Sequence, residues 1–174
     1  MAAQKRNATE DFPEALPLAA ERFSRANRRR LSAPGFRTFL MICELWGLTD
    51  VERLVILGMP LRPTYRNWSK LVRQQRDITL NVDTLIRISI VLGIHQALGL
   101  LYPDERDGVA WLRTPNSALA FGGRAPMTLV TCGTQDGLLS VRRFLDAACG
   151  GLYMPPNELD QAFRQYADAD IVFM

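Results

Sequence analysis

The chain of 174 residues has a single histidine, His95, and three cysteines, none of them in a Cys-x-x-Cys pair. A structural zinc site needs about four Cys or His ligands at short spacings, so no metal site is predicted. A Ser-His-Asp or Cys-His catalytic set would have to use His95, which lies in the most apolar segment and is expected to be structural, at a helix end or an interface. Phosphate-cradling glycine loops and an HExxH motif are also missing. The sequence therefore predicts neither an enzyme nor a cofactor.

No apolar run approaches the roughly 20 residues that a membrane span requires. The longest, residues 85–101, is interrupted by Arg87, His95 and other polar residues. Lys5 and Arg6 stand near the N-terminus, but no apolar signal core follows them. Unpaired cysteines fit a reducing compartment, as free and mostly packed thiols. We therefore expect a soluble, cytoplasmic protein with no membrane partner.

Charge is divided unequally along the chain. Residues 1–104 hold fifteen Lys and Arg against ten Asp and Glu, whereas residues 105–174 hold six against eight. This asymmetry suggests two tasks, with any nucleic acid contacted by the first part. Residues 1–31 are rich in arginine without sustained apolar periodicity. They are predicted to be an arm, which is either a solvated tail or frayed helix, or a basic arm that contacts phosphates.

Helical periodicity dominates the rest of the chain and no strong strand pattern is present, so the predicted class is all-α. Thr49 and Glu52 form a T-x-x-E capping box at one helix start. A segment that is apolar almost all round predicts a central core helix or a subunit interface, and it spans Val82 to Leu101. The other predicted helices run from Ser32 to Gly47, from Thr49, and near Pro63 to Gln75, followed by shorter ones at 109–112, 127–132, 138–149 and 158–167.

A helix, a capped helix, a glycine-containing turn and a basic helix, in that order, are typical of a helix-turn-helix. Residues 62–76 carry five basic side chains and no acid, which favours a helix that enters the major groove. The alternative is a helical bundle whose basic face is merely solvated. Tyr65 and Trp68 could then belong to the core, and Trp68 is the stronger candidate of the two. The candidate DNA-contacting residues are Arg62, Thr64, Tyr65, Arg66, Asn67, Lys70 and Arg73.

The C-terminal half contains three motifs: Trp111-Leu-Arg-Thr-Pro-Asn116, Phe121-Gly-Gly-Arg-Ala-Pro126 and Val141-Arg-Arg-Phe-Leu-Asp-Ala147. Positive φ is expected at Gly122 and Gly123, and Pro126 suits the first turn of a helix. In this order the motifs resemble the toxin-binding domain of the Xre/MbcA/ParS antitoxins. Leu48-Thr-Asp-Val-Glu52, Leu57-Gly58 and Thr64-Tyr-Arg-Asn-Trp68 resemble the Xre-type helix-turn-helix of the same family, although the turn here carries two prolines.

The resemblance implies an antitoxin of a type II toxin–antitoxin system. Such a protein would cover the active site of a RES-type, NAD-consuming toxin. It would also bind operator DNA and repress its own operon, as a homodimer within a toxin–antitoxin hetero-oligomer. The implied domains are the arm, a helix-turn-helix domain at 32–104, a toxin-binding domain at 105–153 and an extension at 154–174.

The predicted toxin contacts combine the motif residues with an apolar, partly acidic tail that suits a hot-spot segment. They are Trp111, Asn116, Phe121, Arg124, Tyr153, Phe163, Tyr166, Asp170, Phe173 and Met174. For Trp111 and Phe121 the alternative is the core of a small domain, and for the tail it is a disordered segment or one that folds back on its own domain. The alternative function is a helix-turn-helix transcription regulator whose C-terminal domain binds no toxin.

Overall fold

A computed structural model of the protein describes residues 23–151, and these form seven helices and no strand. The all-α prediction is therefore confirmed for this part of the chain. The predicted helix at 158–167 and most of the arm lie outside the described residues. The helices are α1 (Arg25–Leu45), α2 (Asp50–Ile56), α3 (Arg62–Arg73), α4 (Val82–Leu101), α5 (Glu105–Arg113), α6 (Pro126–Val130) and α7 (Gln135–Cys149).

The first helix begins earlier than predicted. α1 starts at Arg25, with the Ser24 hydroxyl as its N-cap, so the predicted start at Ser32 is wrong. Arg28 Nη1 donates to the Leu80 carbonyl at 3.1 Å, and the Ser32 hydroxyl accepts from the Leu80 amide at 2.9 Å. These contacts tie the arginine-rich turns to the loop before α4. A tertiary contact thus stabilises helix where the local apolar pattern is weak.

The capping box of α2 is present as predicted. Thr49 N donates to Glu52 Oε2 at 2.8 Å, and Glu52 N donates to Thr49 Oγ1 at 3.3 Å. Gly58 and Met59 then take positive φ values of 83° and 59°, which reverses the chain before α3. The predicted break between these two helices is confirmed.

The central element is α4, whose bounds match the prediction. It packs against α1, α5 and α7, and buried residues from α1 to α7 form one continuous core around it. By length and composition alone α4 could cross a membrane, but 50% of the apolar window is buried among the other helices. A core helix in a soluble bundle has the same composition.

The C-terminal helices are longer than predicted at their starts. α5 begins at Glu105, capped by Asp104 Oδ1, which accepts from the Arg106 amide at 2.8 Å. α7 begins at Gln135, capped by Thr134. In both cases a capping side chain extends the helix beyond the apolar residues on which the prediction relied. α6 begins with Pro126 in its first turn, as expected.

The three cysteines are free but differ in environment. Cys43 is buried in the core, and burial raises the pKa of its thiol to about 12. Cys132 and Cys149 are exposed, so the expectation that the thiols are mostly packed is wrong for these two. Only Cys43 is therefore expected to resist alkylation in the folded protein.

Candidate DNA-binding and partner-binding surfaces

One side of α3 faces the core. Tyr65 and Val72 are buried, and Trp68 is half-buried. The Phe36 ring of α1 lies 6.0 Å from the ring of Tyr65 and 6.0 Å from that of Trp68, edge-on in both cases. These aromatic contacts set the rotation of α3 and so decide which side chains it presents to solvent.

The other side of α3 is basic. Arg62, Arg66, Asn67, Lys70 and Arg73 are exposed. The ion pairs found within residues 23–151 involve none of them, and α3 itself contains no acid. The helix therefore carries an unneutralised cationic face with one amide side chain at its centre. Thr64 lies beside this face and is half-buried.

Tyr65 does not belong to the exposed face. It is only 8% exposed, its ring contacts Phe36, and burial raises the pKa of its hydroxyl while the nearby Arg53 guanidinium opposes that rise. Of the two interpretations of Tyr65, the structure supports the core one. Its buried position leaves the exposed polar residues of α3 as the candidates for base or phosphate contact.

A second surface is built on three aromatic rings. Trp111 of α5 stacks on Phe144 of α7 at 5.9 Å, and Phe121 lies edge-on to both, at 5.8 Å and 4.8 Å. Phe121 is 2% exposed, whereas Trp111 and Phe144 are half-buried. Phe121 is thus a core residue that anchors the loop preceding α6, and the other two rings reach the surface.

The loop at 116–124 is closed by Asn116. Its backbone N donates to the Arg124 carbonyl at 3.2 Å, and its backbone carbonyl accepts from Gly123 N at 3.0 Å. Its side-chain Oδ1 accepts from Ala118 N at 2.9 Å. Gly122 and Gly123 have φ values of 55° and 79°, which confirms the prediction for both. The observed role of Asn116 is therefore to join the two ends of the loop.

At the tip of this closed loop, Leu119 is fully exposed. Arg124, at the end of the loop, is also exposed. Neither Leu119 nor Phe144 was among the sequence-predicted contacts. Phe144 stands inside the motif that begins at Val141, and that was a usable signal. For Leu119 the sequence holds no such signal, because exposure depends on how the loop closes.

The predicted contacts in the C-terminal tail lie outside the described residues; they are Tyr153, Phe163, Tyr166, Asp170, Phe173 and Met174.

His95 and the acidic residues form no recognisable catalytic or metal arrangement in the described part of the chain. No three His, Cys, Asp or Glu side chains cluster there at metal-binding distance. His95 is half-buried in the interior of α4, not at a helix end, and lines a cavity of about 180 Å³ with Trp46 and Leu98. Its surroundings are those of a packed side chain.

The family model of the antitoxin Xre/MbcA/ParS C-terminal toxin-binding domain matches residues 97–151. The chain belongs to the Xre/MbcA/ParS antitoxin family. The match includes the end of α4, the aromatic cluster, the closed loop and all of α5, α6 and α7. The antitoxin is also similar to the uncharacterized protein y4oB of Sinorhizobium fredii (strain NBRC 101917 / NGR234), with 33% identity over 113 residues. That similarity covers 65% of the antitoxin and 82% of its relative.

The family assignment identifies a regulatory protein of toxin–antitoxin systems with a toxin as its partner. The matched domain starts inside α4, whereas the sequence predicts a boundary after residue 104. Since α4 contacts both α1 and α7, the helix is shared by the two halves of the fold. The four predicted domains remain a proposal about organisation.

Proposed function

We propose that this antitoxin neutralises a RES-type, NAD-consuming toxin by covering its active site, and that it represses its own operon as a DNA-binding homodimer in the cytoplasm. The observation that carries the proposal is the match of the toxin-binding domain to residues 97–151, which contain the closed loop and the aromatic cluster. The chemistry of the two surfaces supports the two halves of the proposal separately.

The partner-binding half rests on preorganisation. The loop at 116–124 is held by backbone and side-chain hydrogen bonds at Asn116 and by the buried Phe121 ring beneath it. A loop that is already ordered loses little conformational entropy when a partner binds. Leu119, Arg124 and the half-buried Trp111 then offer an apolar tip, a cation and an aromatic edge. Arginine and tryptophan are among the residue types enriched in binding hot spots.

The DNA-binding half rests on the exposed face of α3. Arg62, Arg66, Lys70 and Arg73 are free to neutralise phosphates, and Asn67 suits bidentate pairing with adenine. Most protein–DNA hydrogen bonds go to the backbone, so an acid-free helix with four cations favours affinity first and sequence reading second.

The neutralisation test is co-expression with the product of the adjacent gene. We expect the adjacent protein alone to deplete cellular NAD and stop growth, and the pair to grow normally and purify as one complex. Mass measurement of the complex then gives the number of antitoxin and toxin subunits. An adjacent gene whose product is harmless and does not bind would favour a transcription regulator without a toxin partner.

A further inference from the structure

An apolar groove lies between α1 and α4 and has no part in either proposed surface. Its volume is about 630 Å³, and Leu31, Pro34, Leu85, Ile86, Leu92 and Leu139 are among the residues that line it. Leu31 is 42% exposed, and Leu85, Ile86 and Leu92 are half-buried. A contiguous apolar surface of this kind favours a specific occupant, because leaving it in water is unfavourable.

We propose that the occupant is the N-terminal segment of the same chain, residues 10–22, with Phe12, Leu16 and Leu18 placed in the groove. The segment joins the described structure at Phe23, which itself lines the groove. The occupant is therefore tethered at the edge of its site. A tether of this kind gives a high effective concentration without any further contact.

Charge complementarity supports this choice. The segment carries Glu10, Asp11, Glu14 and Glu21 and no cation before Arg22. Residues 23–43, which include most of α1, carry five arginines and no acid, and Glu44 follows them. None of these arginines lines the groove, and Arg25, Arg29 and Arg30 border a separate concavity of α1. Opposite charge therefore attracts the segment to α1, and the tether at Phe23 places it at the groove.

The sequence and the length of the segment also suit the groove. Proline disfavours helix at the residue before it, so Pro13 and Pro17 reduce the conformational entropy that Phe12 and Leu16 would lose on docking. Eleven extended residues, 12–22, reach about 34 Å at ~3.1 Å each. The stretch from Phe23 to Thr38 that borders the groove is about 22 Å long at ~1.5 Å per residue. The segment is therefore long enough to cover the whole groove.

The test measures how well the groove is protected in the full chain. Cys132 and Cys149 are changed to Ser, and the buried Cys43 stays unreactive. Ile86→Cys then reports on the groove through its rate of alkylation. Replacing Phe12, Leu16 and Leu18 together by Ser is expected to raise that rate by about tenfold, since the groove is then uncovered. An unchanged rate overturns the proposal, whatever the register of the docked segment.

Leu119→Cys is the matched control, because it is an exposed leucine outside the groove lining. Its alkylation rate should not respond to the three Ser replacements. A rise at both sites would mean that the protein has loosened generally, and thermal denaturation of the triple Ser variant separates this outcome from uncovering of the groove. Loosening without selective exposure of Ile86→Cys also overturns the proposal.

A disulfide experiment distinguishes the same chain from a second copy. Leu16→Cys is paired with Ile86→Cys and oxidised at two protein concentrations tenfold apart. We expect a disulfide within one chain, with a yield that does not depend on concentration. A disulfide between chains, growing with concentration, would instead assign the groove to a second copy of the protein.

Discussion

Gly137 packs directly against the backbone carbonyl of Leu129. A Cβ at position 137 would lie 2.5 Å from Leu129 O, and it would also overlap Cys132 Sγ. Gly137 is buried in the first turn of α7, where its amide donates to Thr134 Oγ1 at 3.0 Å. The close approach of α6 and α7 therefore depends on the missing side chain.

Gly137→Ala is expected to destabilise the protein by about 1–3 kcal/mol, the usual range for overpacking a tight contact. The colliding Leu129 oxygen belongs to the backbone and cannot rotate away, so α6 and α7 must separate. Urea denaturation followed by circular dichroism measures the destabilisation as a lower midpoint with an unchanged slope.

Gly99→Ala is the matched control for this substitution. It lies in α4, and beyond its chain neighbours and the backbone of its own helix no atom lies within 4 Å of the position of a Cβ. The variant should be as stable as the parent or more stable by up to about 1 kcal/mol, because alanine favours helix. Equal stability of the two alanine variants would contradict the packing described at Gly137.

The loop at 116–124 provides a second prediction, through Asn116. Asn116→Ala removes the acceptor for Ala118 N and should cost about 0.5–1.5 kcal/mol. Asn116→Asp keeps an oxygen in the same place and should retain most of the stability. Hydrogen exchange of residues 117–124 should quicken in the alanine variant and not in the aspartate variant. If both variants exchange like the parent, the Asn116 side chain does not help to hold the loop closed, and the two backbone hydrogen bonds suffice.

The capping box predicts a pH dependence. Hydrogen bonds from the Thr49 backbone and side chain hold the pKa of Glu52 below its ordinary value of 4.5. Because the folded pKa is the lower one, the carboxylate stabilises the protein above pH 4.5, and this stabilisation is lost as the pH falls through the lowered value. Glu52→Gln should therefore cost about 0.5–1 kcal/mol at pH 7 and progressively less in acid.

Denaturation midpoints at pH 7 and pH 3 measure this difference. Glu44→Gln, at an exposed position of α1, makes the same change of charge without removing a side-chain hydrogen bond of an N-cap. A constant difference between Glu52→Gln and the parent across this range would show that the cap does not depend on the carboxylate charge.

The elements that could be predicted from sequence are those with local signals. α4 has Asn81 as a cap and Tyr102-Pro103 as a stop, and its predicted bounds match. The true start of α1 is not predicted, because Arg28 and Ser32 in its first turns are stabilised by hydrogen bonds to the backbone of the distant Leu80. Helix starts that depend on partners some fifty residues away leave no local pattern.

The two candidate surfaces also differ in how far the local sequence predicts them. The basic face of α3 follows from spacing alone, because Tyr65, Trp68 and Val72 turn inward at helical intervals. The loop after α5 does not follow from spacing. Leu119 and Phe121 are two residues apart, yet one is fully exposed and the other buried, since the hydrogen bonds of Asn116 decide the path of the chain.

The exposed cations of α3 lead to a fourth prediction. Arg66→Gln and Lys70→Gln should each weaken operator binding and reduce the slope of log K against log salt by about 0.9 for each phosphate that the variant no longer neutralises. Arg143→Gln removes an exposed charge from α7 and should leave the slope unchanged. Fluorescence anisotropy with the operator fragment at four salt concentrations measures the slopes. Identical slopes in all three variants would reject α3 as the DNA-binding helix.

Substitution of Leu119 tests the partner-binding surface most directly, because it should weaken toxin binding without changing the stability of the free antitoxin. The side chain is fully exposed, so Leu119→Ser should change the free energy of unfolding by less than about 0.5 kcal/mol. Burying a leucine in a partner contributes about 1.5–3 kcal/mol, so the same variant should bind the toxin roughly tenfold or more weakly. Phe121→Ala should do the reverse, losing about 3–5 kcal/mol of stability because the ring lies in the core. Titration calorimetry with the purified toxin and denaturation of the free antitoxin give the two quantities, and a Leu119→Ser variant that binds like the parent places the contact elsewhere.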